Sequence, residues 1–498
     1  MVPMSSTAPP SGIQDSVKSG FPGFLDRFFH ITERGSTLGR EVRGGLVTFF
    51  AMSYIVVLNP LIIGTVPDGT GGFLGGDELT SVAKVAAATA LIAGIMSILM
   101  GVVAKFPLAM ATGLGLNAVV AFSIAMLPDM TWADAMGIVV LEGIIILILV
   151  LTGFREAVFN AVPKELKVAI SVGIGLFITF IGFFDAGFVR IPGSQATPVE
   201  LGIGGSLASW PLLVFVIGLV TAIVLWIRKV RGSLLIAILA ATVVAFIVEA
   251  VAHVGFKSGD NPGGWSLGAP IWPGSPVSVP DFGLIGQFSL FGSIEKVGII
   301  TVVLLVFTLL LADFFDTMGT MVAVGAEADL LDEQGNPPRT KQILIVDSVG
   351  AIAGGAGSVS SNTAYIESAA GVGEGARTGL ASVITGIAFL LTTFLTPLVS
   401  TVPFEAATPV LILVGFLMMT QITGINWKDL ELAIPAFLVI VLMPFTYSIT
   451  TGLGAGFVTF VLIKLLLGKA KQVHPLMWVA GAMFVLYFIR GPLQAWIG

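Results

Sequence analysis

Two aspartates three residues apart interrupt an apolar run, in Leu311-Ala-Asp-Phe-Phe-Asp-Thr-Met-Gly-Thr320. On a helix, Asp313 and Asp316 share one face. A carboxylate near the centre of a membrane helix costs about 2.5–3.5 kcal/mol even on the mildest insertion scale. So expensive a pair does not face lipid. A third carboxylate, Glu367, closes the Gly/Ser-rich segment Gly354-Gly-Ala-Gly-Ser-Val-Ser-Ser-Asn-Thr-Ala-Tyr-Ile-Glu367, and Asn117 closes the similar segment Ala111-Thr-Gly-Leu-Gly-Leu-Asn117.

Carboxylates in a dry pocket accept hydrogen bonds and suit a neutral ligand rich in N–H donors, while an Asn side chain both donates and accepts. Purine bases present this pattern, with ring N–H and exocyclic amine groups side by side. Three crowded carboxylates also have the chemistry needed to take up and release a proton. Glu367 is therefore assigned to substrate hydrogen bonding, and Asp313 and Asp316 to both binding and proton coupling. Phe314 and Phe315 offer stacking surface, although aromatics beside such a site more often simply pack. Polar pairs also occur where neighbouring helices satisfy them, and glycines where helices pack closely. Close packing leaves Asn117 and Glu367 unexplained.

These side chains need a membrane scaffold. The chain has 498 residues, 55 % hydrophobic and 11 % charged, with mean hydropathy +1.00. Soluble domains carry about 25 % charged residues, and a bilayer span needs about 20 mainly apolar residues. Apolar segments fall near 44–64, 82–104, 107–127, 131–152, 165–185, 208–228 and 232–252. After a polar stretch from His253 to Lys296, a second set follows near 297–324, 341–357, 358–373, 376–399, 405–424, 430–449 and 450–468. The expectation is an all-α polytopic protein with about 14 transmembrane segments.

Gly-rich stretches in the third and tenth spans make poor continuous helix, because Gly costs up to about 1 kcal/mol per helical position relative to Ala. Short extended segments turning into half-helices are expected there. Broken backbone at membrane depth is tolerated only where it is buried in protein or lines a wet cavity, and paired breaks in two halves point to a binding site.

Cytoplasmic loops carry an excess of Lys and Arg. With the N-terminus inside, nineteen of the 24 Lys and Arg fall inside and four outside, Arg490 being unplaced. Seven spans per half then insert the second half in the opposite sense, so the halves are candidates for an inverted repeat.

Residues 1–35 read as a disordered cytoplasmic tail ending in a short amphipathic piece, Phe21–Phe29, without the apolar core of a signal peptide. Glu142, near the middle of the fourth span, is open to two readings, internal pairing or function. Glu249 and Asp185 sit at span ends and reach the interface. The polar run from Glu327 to Pro338 is a solvated cytoplasmic loop. Residues 473–498 hold a further apolar segment, His474–Ile489, which is interfacial, re-entrant or an additional span.

Three segments in order, Gly44-Gly-Leu-Val-Thr-Phe-Phe-Ala-Met-Ser-Tyr-Ile-Val-Val-Leu-Asn-Pro60, Asp313-Phe-Phe-Asp-Thr-Met-Gly-Thr320 and Ser360-Ser-Asn-Thr-Ala-Tyr-Ile-Glu-Ser-Ala-Ala-Gly-Val372, resemble the nucleobase:cation symporter-2 (NCS2) superfamily. The chain is most similar to its AzgA-like guanine/hypoxanthine/adenine permease branch, over roughly residues 20 to 490. That resemblance implies a 7+7 inverted repeat with a core domain (36–152 and 297–399) and a gate domain (153–252 and 400–472), separated by an external loop at 253–296. It implies substrate contacts at Asn117, Asp313, Asp316 and Glu367, flanked by Gly115 and Thr363. It further implies proton symport involving Asp313, Asp316 and Glu367, alternating access between the domains, and homodimers formed through the gate domains. The place of residues 473–498 is not given by this scheme.

Purine uptake across the cell membrane is the expected function, with a xanthine/uracil permease of the same superfamily as the alternative. An anion transporter sharing the fold is disfavoured, because three carboxylates repel an anion. An intramembrane aspartyl protease would draw its aspartates from separate helices, whereas these share one, and a channel would need a continuous polar pore. With no cysteine and three scattered histidines, the sequence suggests neither a metal site nor a cofactor, and a net charge of −6 argues against nucleic acid.

Overall fold

The computed structural model describes residues 21–153, 161–192, 197–266, 270–333 and 336–497. The principal helices are α1 (Phe21–Phe29), α2 (Leu38–Met52), α3 (Ile55–Ile63), α4 (Glu78–Leu99), α5 (Leu114–Ala118), α6 (Trp132–Thr152), α7 (Lys164–Asp185), α8 (Trp210–Ile227) and α9 (Ser233–Ala252). They continue as α10 (Gly292–Val297), α11 (Ile299–Glu327), α12 (Thr340–Ala356), α13 (Ser368–Gly373), α14 (Gly379–Thr392), α15 (Thr396–Val399), α16 (Phe404–Met419), α17 (Leu430–Phe445), α18 (Ile449–Leu466) and α19 (Pro475–Ile497).

Among the described residues, ten helical stretches are long and apolar enough to cross a membrane. Shorter apolar helices occupy Leu114–Ala125, Leu430–Phe445 and Pro475–Ile489. The chain is thus a mostly helical, multi-pass membrane protein. The C-terminal apolar segment continues into one 23-residue helix, α19, which packs against α18 and α11.

Polar residues at the span edges set the starts of the helices. Thr37, Asp77, Ser209 and Ser448 each accept a hydrogen bond from a first-turn amide, and Thr131 with Asp134 forms a reciprocal capping box ahead of α6. Such caps stabilise a helix by about 1 kcal/mol each.

Small residues then allow backbones to approach, as membrane helices require when lipid offers no hydrophobic drive between them. Where α14 meets the end of the second span, a Cβ built on Gly379 would lie 2.0 Å from the Gly101 carbonyl oxygen. α14 packs on α2 and α4, and α6 runs along α12. On the other side of the molecule α7 packs on α16 and α17, and α8 and α9 pack on each other and on α16.

The two Gly-rich segments do break into extended chain. β1 (Met110–Thr112) pairs antiparallel with β4 (Asn362–Ala364), placing Ala111 opposite Thr363. The amide of Tyr365 donates to the Ala109 carbonyl at 3.0 Å, and that of Gly113 to the Ser361 carbonyl at 3.1 Å, extending the ladder at both ends. In this way the buried backbone groups freed by the helix breaks are satisfied. Lys105, before β1, and Ser358 and Ser360, before β4, lie in the left-handed region, with φ of 51°, 55° and 71°. That conformation costs L-residues about 1–2 kcal/mol each, and it is held here by the packed helices on either side.

The 253–296 stretch folds back over the helix ends. Trp265 is fully buried and donates from Nε1 to Glu249 at 2.7 Å, and the Ser266 amide donates to Glu405 at 3.0 Å. Glu249, at the end of its span, therefore anchors the loop. A second, smaller ribbon, β2 (Val189–Arg190) with β3 (Glu200–Leu201), lies between α7 and α8.

Candidate functional site

The β1–β4 crossing gathers carboxylates from separate parts of the sequence. β4 leads through Tyr365 and Ile366 to Glu367, which directly precedes α13. α11 passes alongside, carrying Asp313 and Asp316. α12, packed behind β4, adds Asp347, and α6 adds Glu142.

These carboxylates divide into two groups. Asp316 and Glu367 are electrostatic neighbours, Asp316 being exposed and Glu367 half-buried. Asp316, Gly319 and Ala323 form an exposed stripe along α11, at the three- and four-residue spacing of one helix face. The Tyr54 hydroxyl, from the start of α3, donates to Glu367 Oε1 at 2.5 Å.

Asp313, Glu142 and Asp347 are instead closed off from solvent, at 0, 0 and 2 % exposure. The Thr317 hydroxyl donates to Asp347 Oδ1 at 2.8 Å and lies 2.7 Å from the Thr363 hydroxyl. Thr317 has one proton to give. With that proton directed to Asp347, the Thr363 hydroxyl lies between two acceptors, Thr317 and Asp313.

Neither oxygen of Asp313 nor either oxygen of Glu142 has a hydrogen-bond partner at normal distance and angle. Among the described residues no Lys, Arg or His forms a salt bridge with any of these five carboxylates.

Asn117 is fully buried on α5. Its amide nitrogen is 3.4 Å from Thr112 Oγ1, while its carbonyl oxygen has no partner. Gly115, half-buried, faces α7, where an added Cβ would lie 2.8 Å from Ile174 Cγ2. A side chain at 115 would push the two elements apart. Phe314 is buried in packing, and the side chain of Phe315 lies outside the described part of the structure.

The structure therefore brings together Asp313, Asp316, Glu367 and Thr363, with Asn117 and Gly115 on the adjoining half-helix. Sequence reasoning left Glu142 open and missed Asp347, Thr317 and Tyr54 altogether. Asp347 carried a signal, being the sole acidic residue within the apolar run 341–357. Tyr54 and Thr317 carried none beyond membership of the motifs quoted above. Chemically, the arrangement offers two reachable acceptors, one of them oriented by a phenol, in front of a sealed group of three further carboxylates.

The sequence model of the Xan_ur_permease family, described as a permease family, matches residues 39–455. The chain is 38 % identical over 465 residues to the guanine/hypoxanthine permease PbuG of Bacillus subtilis (strain 168), covering 93 % of this chain and 99 % of that one. It is 34 % identical over 476 residues to the adenine permease AdeP of Escherichia coli (strain K12), covering 96 % and 98 %. Among solved structures, the transmembrane domain of the cyanobacterial bicarbonate transporter BicA superposes with a TM-score of 0.56 at 15 % identity, over 84 % of this chain and 97 % of that one. The last likeness concerns the fold alone.

Proposed function

We propose, for a chain that belongs to the Xan_ur_permease (NCS2) permease family and is a nucleobase permease rather than an enzyme, that it imports the purine bases guanine, hypoxanthine and adenine by proton symport. The observation that carries this reading is the pair Asp316 and Glu367, two neighbouring acceptors that are not closed off from solvent, with no basic side chain forming a salt bridge to either among the described residues. A neutral base with adjacent N–H groups complements them, whereas an anion is repelled. Asn117, Gly115 and Thr363 complete the substrate region, and Asp313, Asp316 and Glu367 carry the coupling proton.

Fourteen spans in a 7+7 inverted repeat are the architecture we favour. The ten long helices are joined in this count by the two broken segments after β1 and β4 and by the shorter α12 and α17, with α19 as an appended helix. The packing of α6 on α12 and of α14 on α2 and α4 supports a core domain of 36–152 and 297–399. The packing of α7 and α9 on α16 supports a gate of 153–252 and 400–472. Rocking of one unit against the other gives alternating access, with the N-terminus in the cytoplasm of the cell-membrane protein and dimers formed through the gate.

Counterflow of labelled hypoxanthine in proteoliposomes tests the reading. Competition by guanine and adenine is expected. Competition by uracil or xanthine alone would move the assignment to the xanthine/uracil alternative, and competition by sulfate without any base would overturn it.

A further inference from the structure

The carboxyl groups of Glu142 and Asp313 face each other within hydrogen-bonding reach, both fully buried. None of their four oxygens has a hydrogen bond of normal distance and angle from another group, the nearest hydroxyls being Ser361 beside Glu142 and Thr363 beside Asp313. Two ionised carboxylates in that position repel each other in a low-dielectric interior and leave every lone pair empty. One proton removes both penalties at once, because the protonated carboxyl donates to its neighbour.

Among the described residues the surroundings add no cationic donor to the pair. From α12, Asp347 faces the pair but already holds the Thr317 proton. The Thr363 hydroxyl of β4 lies between Thr317 and Asp313, and the Ser361 hydroxyl, just before β4, lies beside Glu142. On α11 itself, Asp316 is one turn away from Asp313 and is exposed. Among the described residues no set of three or more acidic, His or Cys side chains is arranged to hold a metal ion. The ligand this site fits is a proton.

We propose that Glu142 and Asp313 form a proton-binding site, a carboxyl and a carboxylate sharing a single proton, and that this is the proton moved together with the substrate. The assignment rests on the symport reading above and deepens it. Of the three carboxylates given above to proton coupling, Asp316 and Glu367 contact substrate and pass the proton on, and it resides on Asp313 together with Glu142. On loading, one proton enters past Asp316 and bonds to a carboxylate oxygen, lowering the net charge of the pair from −2 to −1. On release the same O–H bond breaks and the proton leaves to water admitted by the opposite opening. Glu142 needs no contact with substrate to set the coupling, since it acts through Asp313.

Infrared spectroscopy of the full chain in lipid nanodiscs, together with transport in proteoliposomes, tests this. At neutral pH the wild type should show the carbonyl stretch of a protonated carboxylic acid, shifted by deuterium exchange, and Glu142→Gln should remove that band. The amide introduced there donates permanently to Asp313, so pH-driven accumulation of hypoxanthine should fall to simple equilibration and the pH dependence of counterflow should flatten. Glu142→Asp, which restores an acid, should regain the band and part of the accumulation.

A wild type without the band, or a band that survives Glu142→Gln, overturns the shared proton. Undiminished accumulation by Glu142→Gln overturns its coupling role. Absence of counterflow for every purine in a wild type that shows the Glu142-dependent band would instead remove the substrate assignment and support the proton site.

Discussion

The Tyr54 hydroxyl donates to Glu367 Oε1 across 2.5 Å, joining residues 313 positions apart in the chain. The bond holds one carboxylate oxygen and leaves the other for a ligand. Phenylalanine fills the same volume without the donor. A hydrogen bond to a charged group contributes about 1.5–3 kcal/mol, so Tyr54→Phe should weaken hypoxanthine binding by roughly ten- to a hundredfold. Equilibrium binding to the purified protein checks this, and an unchanged Kd would remove Tyr54 from the site.

Thr317 is the donor to Asp347, inside the sealed carboxylate group. Valine in its place keeps the shape but leaves a buried carboxylate oxygen without its proton donor, at a cost of about 1–3 kcal/mol. Thr317→Val should lower the thermal midpoint in detergent, and Thr317→Ser, which keeps the hydroxyl, should largely restore it.

Asp68 lies outside the spans, in the connection between α3 and α4. Burial pushes its carboxyl up, but the Thr70 hydroxyl and the amides of Gly72, Trp132 and Thr70 outweigh it and hold the group below the usual carboxylate range. A carboxyl depressed on folding stabilises above its unfolded value, about 3.9 for Asp, and that contribution disappears as pH falls through the folded value. Asp68→Asn should therefore melt below wild type at about pH 7, and the difference should close towards about pH 3. A difference that persists in acid would show that charge is not the cause.

Gly379 sits where α14 crosses the second span, 2.0 Å from the Gly101 carbonyl oxygen once a Cβ is added. Backbone cannot yield there as a flexible side chain would. Gly379→Ala should destabilise by about 1–3 kcal/mol through overpacking, whereas Gly373→Ala, at an exposed helical position with open space around it, should melt close to wild type. Differential scanning fluorimetry on both variants separates the two cases.

Much of the fold could be read from local composition. The apolar run at 131–152 became α6 and that at 232–252 became α9, each within a residue or so, because the length of a span follows from bilayer thickness and the residues within it. The breaks at Ala111–Asn117 and Gly354–Glu367 were equally legible, since Gly and Ser disfavour helix regardless of neighbours. The position of Glu249 at a span end was legible too, but its partner was not, for the converse reason. Its role as the acceptor for Trp265 depends on a loop folding back over the helix ends, which no local pattern announces.

By itself, the sequence determined that the chain lives in a membrane, where its helices interrupt, and that Asp313, Asp316 and Glu367 had to be kept from lipid. Hydrophobicity and backbone propensity are properties of short segments, so order along the chain suffices for them. Only the tertiary structure decided how the carboxylates divide, with Asp316 and Glu367 reachable and Asp313 sealed against Glu142. That division depends on which helix faces pack together across hundreds of residues. A side chain's chemistry there is set by the donors and water its neighbours admit.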